Sequence, residues 1–185
     1  MLVKFKLWLE LCKPEITFLV FISTIFGFYA AVVKNNIEMS SFTSSFLFCL
    51  TIGSIMCSAG VSAINQVIES KLDSLMDRTK KRPIASGKIS QKNGLYFGIT
   101  LSILGTSLLF LFVEMIAGTL SIITAVLYLF VYTPLKQKTP LNTLVGAFPG
   151  ALPPLGGWIA ATGEFKLEAW ILFSVLFSLQ IPHFS

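Results

Sequence analysis

Residues Asn65–Pro83 read NQVIESKLDSLMDRTKKRP and concentrate carboxylates and cations between two long apolar segments. Within this stretch, oxygen-bearing side chains recur at every fourth position, at Asn65, Glu69, Asp73 and Asp77. Because a helix advances by about 100° per residue, consecutive members lie about 40° apart on one slowly drifting stripe. The spacing therefore predicts a helical face that directs oxygen atoms to one side.

Such a face has the chemistry of a phosphate-linked metal site. Mg²⁺ is usually held by one or two carboxylates together with substrate phosphates. The cations that follow the stripe are Arg78, Lys80, Lys81 and Arg82. Since guanidinium groups grip phosphate in bidentate fashion, the stretch is consistent with a diphosphate held between metal and basic side chains. The same charges also fit a solvated loop beside a membrane segment, and the spacing alone leaves both interpretations open.

The composition is that of a membrane protein. The chain has 185 residues, of which 54% are hydrophobic and 12% charged, whereas soluble domains carry about 25% charged residues. The net charge of +5 comes from Lys and Arg in short loops, where they set membrane orientation, so we expect no nucleic acid partner. The cysteines Cys12, Cys49 and Cys57 form no metal-ligand pattern and receive no role.

Outward from the charged stretch, the apolar runs predict an all-α, polytopic membrane helix bundle with about six transmembrane helices. Residues 1–13 are expected to form a short interfacial helix before the first span. Ser90 is placed to cap the third span, and Glu114 is placed at the turn before the fourth. The spans are expected at residues 16–33, 42–68, 94–113, 115–132, 141–161 and 169–185.

The fifth run combines helix-breaking residues within an apolar segment. Its prolines are Pro149, Pro153 and Pro154, and its glycines are Gly146, Gly150, Gly156 and Gly157. Non-helical backbone at membrane depth is tolerated only where protein covers it or where it lines a cavity. We therefore expect irregular backbone beside an internal chamber, with a proline-kinked helix as the alternative.

Loop charges orient the predicted bundle. If the N-terminus is cytoplasmic, only Lys34 and Lys166 among the Lys and Arg residues fall on the outer side. The positive-inside rule therefore predicts this orientation. It places the acidic stripe and a second basic motif, Tyr132–Lys136 (YTPLK), on the same cytoplasmic face.

Two later blocks complete a family pattern. They are NTLVGAFPGALPPLGGWIAATGEF at residues 142–165 and QIPHF at residues 180–184. With the acidic stripe, Arg78-Thr79, Arg82-Pro83 and YTPLK, they make the sequence resemble the UbiA superfamily of intramembrane prenyltransferases. The stripe is a superfamily feature, whereas the PPLGGW, ATGEF and QIPHF segments resemble the branch that farnesylates haem.

The resemblance implies roles for individual residues. It implies Mg²⁺ bound near Asn65, Glu69 and Asp73, with Asp77 as a further metal candidate. Catalysis is assigned to Asp73, Glu69 and Lys136. Substrate contacts are implied for Arg78, Arg82, Lys136, Tyr132 and His183, the last of these toward haem. Glu69 departs from the family pattern, since many members have Asp there, and Lys71 stands where some relatives have another acid.

The implied reaction is farnesyl transfer from farnesyl diphosphate to a vinyl group of haem b, which yields haem O. The implied setting is the lipid bilayer of the bacterial cytoplasmic membrane or the mitochondrial inner membrane, with the haem-copper oxidase assembly machinery as a contact. Two alternatives stay open, namely prenylation of a quinone- or chlorophyll-type aromatic acceptor and a non-enzymatic membrane carrier or assembly subunit. The resemblance further implies a ring of nine helices with a second acidic motif after the sixth. Residues 1–185 are thus expected to form one domain, the N-terminal portion of a longer enzyme.

Overall fold

The computed structural model describes residues 2–38, 41–136 and 142–180, and in these ranges the chain is all-α. The helices are α1 (Leu2–Leu11), α2 (Pro14–Lys34), α3 (Ser41–Asp73), α4 (Gln91–Phe112), α5 (Met115–Val126), α6 (Thr133–Leu135), α7 (Asn142–Thr162) and α8 (Leu167–Gln180). A π-helical segment, Leu127–Tyr132, joins α5 to α6. The predicted fold class is confirmed.

Five helical segments of the described ranges are long and apolar enough to cross a membrane. They are Pro14–Lys34, Ser45–Asp73, Gln91–Phe112, Met115–Leu135 and Leu144–Thr162. These segments correspond to the first five predicted spans. Helix α8 is apolar but has 14 described residues, fewer than the about 20 that a spanning helix needs. The rest of the sixth predicted span, residues 181–185, lies outside the described residues.

Local sequence signals set several helix ends. Ser90 Oγ accepts a hydrogen bond from the Asn93 backbone N–H at 3.2 Å, which confirms the predicted cap of α4. Glu114 has extended backbone immediately before α5, as expected for the turn. Lys13 links α1 to α2 with a φ of 47°, and Pro14 occupies the first position of α2, where its missing N–H costs nothing.

The expectation of irregular backbone in the fifth span is wrong. Helix α7 is continuous from Asn142 to Thr162, with all three prolines inside it. Proline weakens a helix by removing a hydrogen bond and crowding the preceding turn, but close packing against α2 covers this backbone. A Cβ on Gly157 would lie 2.9 Å from Phe28 N, and one on Gly27 would lie 2.8 Å from Pro154 Cα. The glycines therefore bring two backbones together, and the predicted chamber beside them stays a prediction.

The polar loops gather at two opposite ends of the bundle. At one end, Lys13 Nζ lies 2.6 Å from Asn65 Oδ1, between the start of α2 and the end of α3. At the other end, Lys166 Nζ donates to Asn35 Oδ1 at 3.4 Å. This arrangement is the one that alternating membrane crossings require. Which end faces the cytoplasm stays a prediction.

We expect a cysteine introduced at Ser86 to react with membrane-impermeant maleimide only after the cytoplasmic side is opened. A cysteine at Asn35 should react from the outside, because the loop charges place these two positions on opposite faces. The measurement is labelling of intact and opened vesicles, with the parent chain as background for its three native cysteines. Labelling of Ser86→Cys from the outside only would reverse the proposed orientation.

Candidate functional site

The last turns of α3 bury three of the four residues of the predicted oxygen stripe. Asn65, Glu69 and Asp73 are only 1%, 5% and 5% exposed. Charged groups are buried at this level only when other groups pair with them. A solvated loop would leave its carboxylates in water, so their burial disfavours that alternative.

Basic side chains from two other segments pair with the buried carboxylates. Arg82 Nη1 lies 2.8 and 2.7 Å from the two oxygens of Asp73 and 3.7 Å from Glu69 Oε2. Lys136 Nζ lies 3.4 Å from Glu69 Oε1. Both cations remain partly exposed, with side-chain exposures of 27% for Arg82 and 40% for Lys136. They can therefore reach a ligand that approaches the carboxylates.

The loop after α3 returns Arg82 to the end of that helix. Thr79 Oγ1 donates to the Asp73 carbonyl at 3.1 Å, and Thr79 is itself 3% exposed. The Arg82 backbone N–H then donates to the Thr79 carbonyl at 2.9 Å. These successive turns place the guanidinium over Asp73. Thr79 was quoted beside Arg78 in the family pattern but was not predicted to have this role.

The π-helical segment and α6 approach Asn65 from another side. Thr133 Oγ1 accepts a hydrogen bond from Asn65 Nδ2 at 3.0 Å and donates to the Tyr128 carbonyl at 2.8 Å. Short π-helical insertions occur frequently at functional sites. Because Asn65 Nδ2 donates to Thr133, the Oδ1 atom of Asn65 faces the opposite side, toward the other polar groups of the site. Thr133 was quoted within the YTPLK motif but not predicted to have this role.

Tyr132 lies beside the cluster, on the segment that carries Lys136. Its ring centroid is 5.3 Å from that of Tyr128. The ring also packs on Gly146 of α7, where a Cβ would lie only 2.5 Å from Cε2. The glycine therefore leaves the space that the tyrosine occupies.

Lys13 is a third cation of the site, and sequence reasoning counted it only as a topology charge. Its Nζ lies 2.6 Å from Asn65 Oδ1. Burial, and then the nearby Arg82 and Lys136 cations, lower the pKa of Lys13 to about 8, although Glu69 and Asp73 act in the opposite direction. The signal that could have found it is its place directly before Pro14, at the same membrane end as the stripe. We call Lys13, Asn65, Glu69, Asp73, Arg82 and Lys136 the site cluster.

Some of the predicted site residues do not join the site cluster. Helix α3 ends at Asp73, so the four-residue stripe stops there and the Asp77 side chain is 96% exposed. Asp77 pairs with Lys80 at 2.6 Å instead. Arg78 is exposed, and it makes no ion pair within the described part of the chain. His183 lies outside the described residues.

The donors of the site cluster fit Mg²⁺ that is shared with a phosphate group. Asn65 Oδ1 and the carboxylates of Glu69 and Asp73 are hard oxygen donors, which Mg²⁺ prefers. In residues 2–38, 41–136 and 142–180, no three His, Cys, Asp or Glu side chains form a metal-binding group. Within these ranges, Glu69 and Asp73 would therefore bind Mg²⁺ together with phosphate oxygens rather than as part of an all-protein cage.

Comparisons with known proteins identify a family that this chain matches. Residues 16–185 match the UbiA prenyltransferase family. A protein named protoheme IX farnesyltransferase from Flavobacterium johnsoniae is 42% identical over 175 residues, which are 95% of this chain and 57% of that protein. One of the same name from Legionella pneumophila (strain Paris) is 38% identical over 179 residues, which are 96% of this chain and 58% of that protein. The chain thus spans less than two thirds of the length of these relatives.

A solved structure from work on digeranylgeranylglyceryl phosphate synthase in membranes resembles the chain with a TM-score of 0.79. The sequence identity is 23%, and the match covers 96% of this chain and 60% of that one. At this identity the likeness shows a shared fold. The helices that carry the site cluster therefore belong to a known membrane architecture.

Proposed function

Because the chain belongs to the UbiA prenyltransferase family, we propose that it carries the diphosphate end of a membrane farnesyltransferase that acts on haem b. The observation that carries the proposal is the site cluster itself. It brings three cations, two carboxylates and one amide together from separate segments at one end of an integral membrane bundle. The names of the relatives support haem as the acceptor.

The chemistry begins with the loss of diphosphate from the allylic carbon of farnesyl diphosphate. The C–O bond breaks, and both of its electrons leave with the diphosphate. Arg82 and Lys136 would donate hydrogen bonds to the phosphate oxygens and stabilise the charge that develops there. Asn65, Glu69 and Asp73 would hold Mg²⁺, which adds positive charge beside the same oxygens when bound.

The allylic carbon then forms a C–C bond with electrons of a haem vinyl group. Water adds to the remaining vinyl carbon and releases a proton, which gives the hydroxyethylfarnesyl group of haem O. Partial burial of the site cluster limits competing attack by water at the first step. Tyr132 borders this region and packs on Gly146, and the family likeness supports it as a substrate contact.

Other parts of the proposal rest on the family likeness. His183 is proposed to contact haem, since imidazole is a common axial ligand of haem iron. Arg78 is proposed to contact the substrate and Asp77 the metal. Both side chains would move toward the site cluster when the ligand binds. The membrane would be the bacterial cytoplasmic or the mitochondrial inner membrane, with haem-copper oxidase assembly proteins nearby.

The test is binding followed by transfer, with the chain reconstituted in lipid nanodiscs. We expect Mg²⁺-dependent binding of farnesyl thiodiphosphate, a non-reactive analogue, and transfer of labelled farnesyl from the diphosphate to haem b rather than to quinone- or chlorophyll-type acceptors. Transfer to an aromatic ring alone would favour the other prenyltransferase function. Failure to bind the analogue would favour a carrier or assembly subunit.

A further inference from the structure

The joint between α1 and α2 is held by side chains from outside α1. The last carbonyls of a helix have no partner within it. In α1, the carbonyls of Glu10 and Leu11 both accept hydrogen bonds from Gln66 Nε2, at 3.0 and 3.1 Å. The Cys12 carbonyl accepts from Thr17 Oγ1 at 2.8 Å. Three consecutive carbonyls before Lys13 are therefore anchored, two by α3 and one by α2.

These anchors are buried in the protein. Gln66 is 2% exposed and Thr17 is 8% exposed. Gln66 Oε1 is buried and has no hydrogen-bond partner among the described residues. An unpaired buried oxygen costs stability, so an apolar side chain would suit packing at this position better. The stabilising contribution of the Gln66 amide therefore comes from the two hydrogen bonds that its Nε2 donates to α1.

Lys13 follows this anchored segment directly. Its φ of 47° lies in the left-handed region, which is uncommon for a residue other than glycine and is maintained only by the surrounding structure. The side chain extends to Asn65 Oδ1 at 2.6 Å. Adjacent residues of α3 thus act on the same short segment: Gln66 holds the backbone before Lys13, and Asn65 accepts from its Nζ.

We propose that Gln66 is a positioning residue that holds the α1–α2 joint so that Lys13 faces the diphosphate beside Arg82 and Lys136. The inference rests on the proposed function, because it names a third cation for the same site. Without the two bonds from Gln66, the Thr17 bond to the Cys12 carbonyl would be the remaining one of the side-chain anchors described above. Lys13 could then leave the site cluster without any change in Arg82 or Lys136.

The first experiment is a double-mutant cycle on the 185-residue chain in lipid nanodiscs. The probe is inorganic diphosphate with Mg²⁺, measured by calorimetry. We expect Lys13→Met to weaken binding about tenfold, since hydrogen bonds to charged groups are strong. Gln66→Leu should weaken it about fivefold, and the double variant should match Lys13→Met alone because both act through one group. Independent, additive losses would overturn the proposal.

The second experiment reports on the joint without any ligand. In a Cys49→Ser, Cys57→Ser background, Cys12 is the remaining native thiol, and burial raises the pKa of Cys12. We expect Gln66→Leu to increase the rate of Cys12 modification about fivefold as the joint opens. The matched control is Gln91→Leu, which removes an exposed amide that donates to Ser70 Oγ at 3.0 Å, away from α1. An unchanged rate in Gln66→Leu would overturn the proposal.

If Gln66→Leu does not fold, a second variant, Thr17→Val, can be measured in the same two experiments. Thr17→Val removes the anchor on the Cys12 carbonyl and keeps the side-chain shape, so it should also speed Cys12 modification and weaken diphosphate binding. The two experiments separate the two proposals. A parent chain that binds no diphosphate refutes the proposed function and the role of Lys13, whereas Cys12 reactivity still decides whether Gln66 holds the joint.

Discussion

Asp73→Asn and Glu69→Gln should each reduce Mg²⁺-dependent binding of farnesyl thiodiphosphate by about 100-fold, since even the loss of a group that supports a metal ligand costs about 10–100-fold in metal affinity. Each change removes a charged oxygen donor from the metal side of the site. Each also removes a charge that pairs with Arg82, whose Nη1 lies 2.7 Å from Asp73 Oδ2 and 3.7 Å from Glu69 Oε2. The measurement is titration of the analogue in nanodiscs at fixed Mg²⁺.

Two matched variants make this result specific. Asp77→Asn makes the same chemical change one stripe position later, where the side chain is 96% exposed. Glu15→Gln removes an exposed carboxylate from the first turn of α2 at the same membrane end. Glu15→Gln should bind like the parent, and Asp77→Asn should weaken binding far less than Asp73→Asn or Glu69→Gln because its side chain is exposed. Thermal unfolding should show that all four variants are folded. Near-parental binding by Asp73→Asn and Glu69→Gln would contradict the prediction and indicate that these carboxylates have only a structural role.

Gly157→Ala should strongly destabilise the helix bundle. Its Cβ would meet the Thr24 carbonyl oxygen and lie 2.9 Å from Phe28 N, so it would strike the backbone of α2. Backbone cannot rotate away as a side chain can. We expect the free energy of unfolding to fall by about 3 kcal/mol, the upper range for overpacked cores.

The neighbouring glycine is the control for this prediction. A Cβ on Gly156 meets nothing within 4 Å, and alanine favours helix over glycine by about 0.5–1 kcal/mol. Gly156→Ala should therefore unfold at the parental temperature or slightly above it. The comparison is made by thermal unfolding in one detergent. Equal stability of the two alanine variants would show that α2 and α7 do not pack with their backbones in contact.

The failure at α7 shows why proline content could not predict the backbone of this helix. Proline and glycine report a local tendency to break a helix in isolation. In the folded chain, Gly27 and Gly157 let α2 approach α7 closely enough to support its weakened backbone. Gly157, one of the glycines that suggested irregularity, is thus a residue that allows close helix contact. Only the position of a second helix could reveal this.

The acidic stripe shows how far helical spacing alone predicts which side chains share a buried face. Asn65, Glu69 and Asp73 share a buried face because a four-residue spacing keeps them on one side of any helix. Asp77 has the same spacing but does not share that face, since α3 ends at Asp73 and the chain turns. The spacing was therefore a correct guide only as far as the helix continued.

The amino-acid sequence by itself determined the membrane class, the first five spans, the Ser90 cap and the oxygen stripe. These features depend on apolar length and helical period, which are properties of neighbouring residues. The tertiary structure alone decided which cations meet the stripe. Lys13, Lys136 and Thr133 contact α3 across 52, 67 and 68 residues of chain. Contacts at such separations arise from the packing of whole helices, because no local pattern records which helix ends will lie side by side.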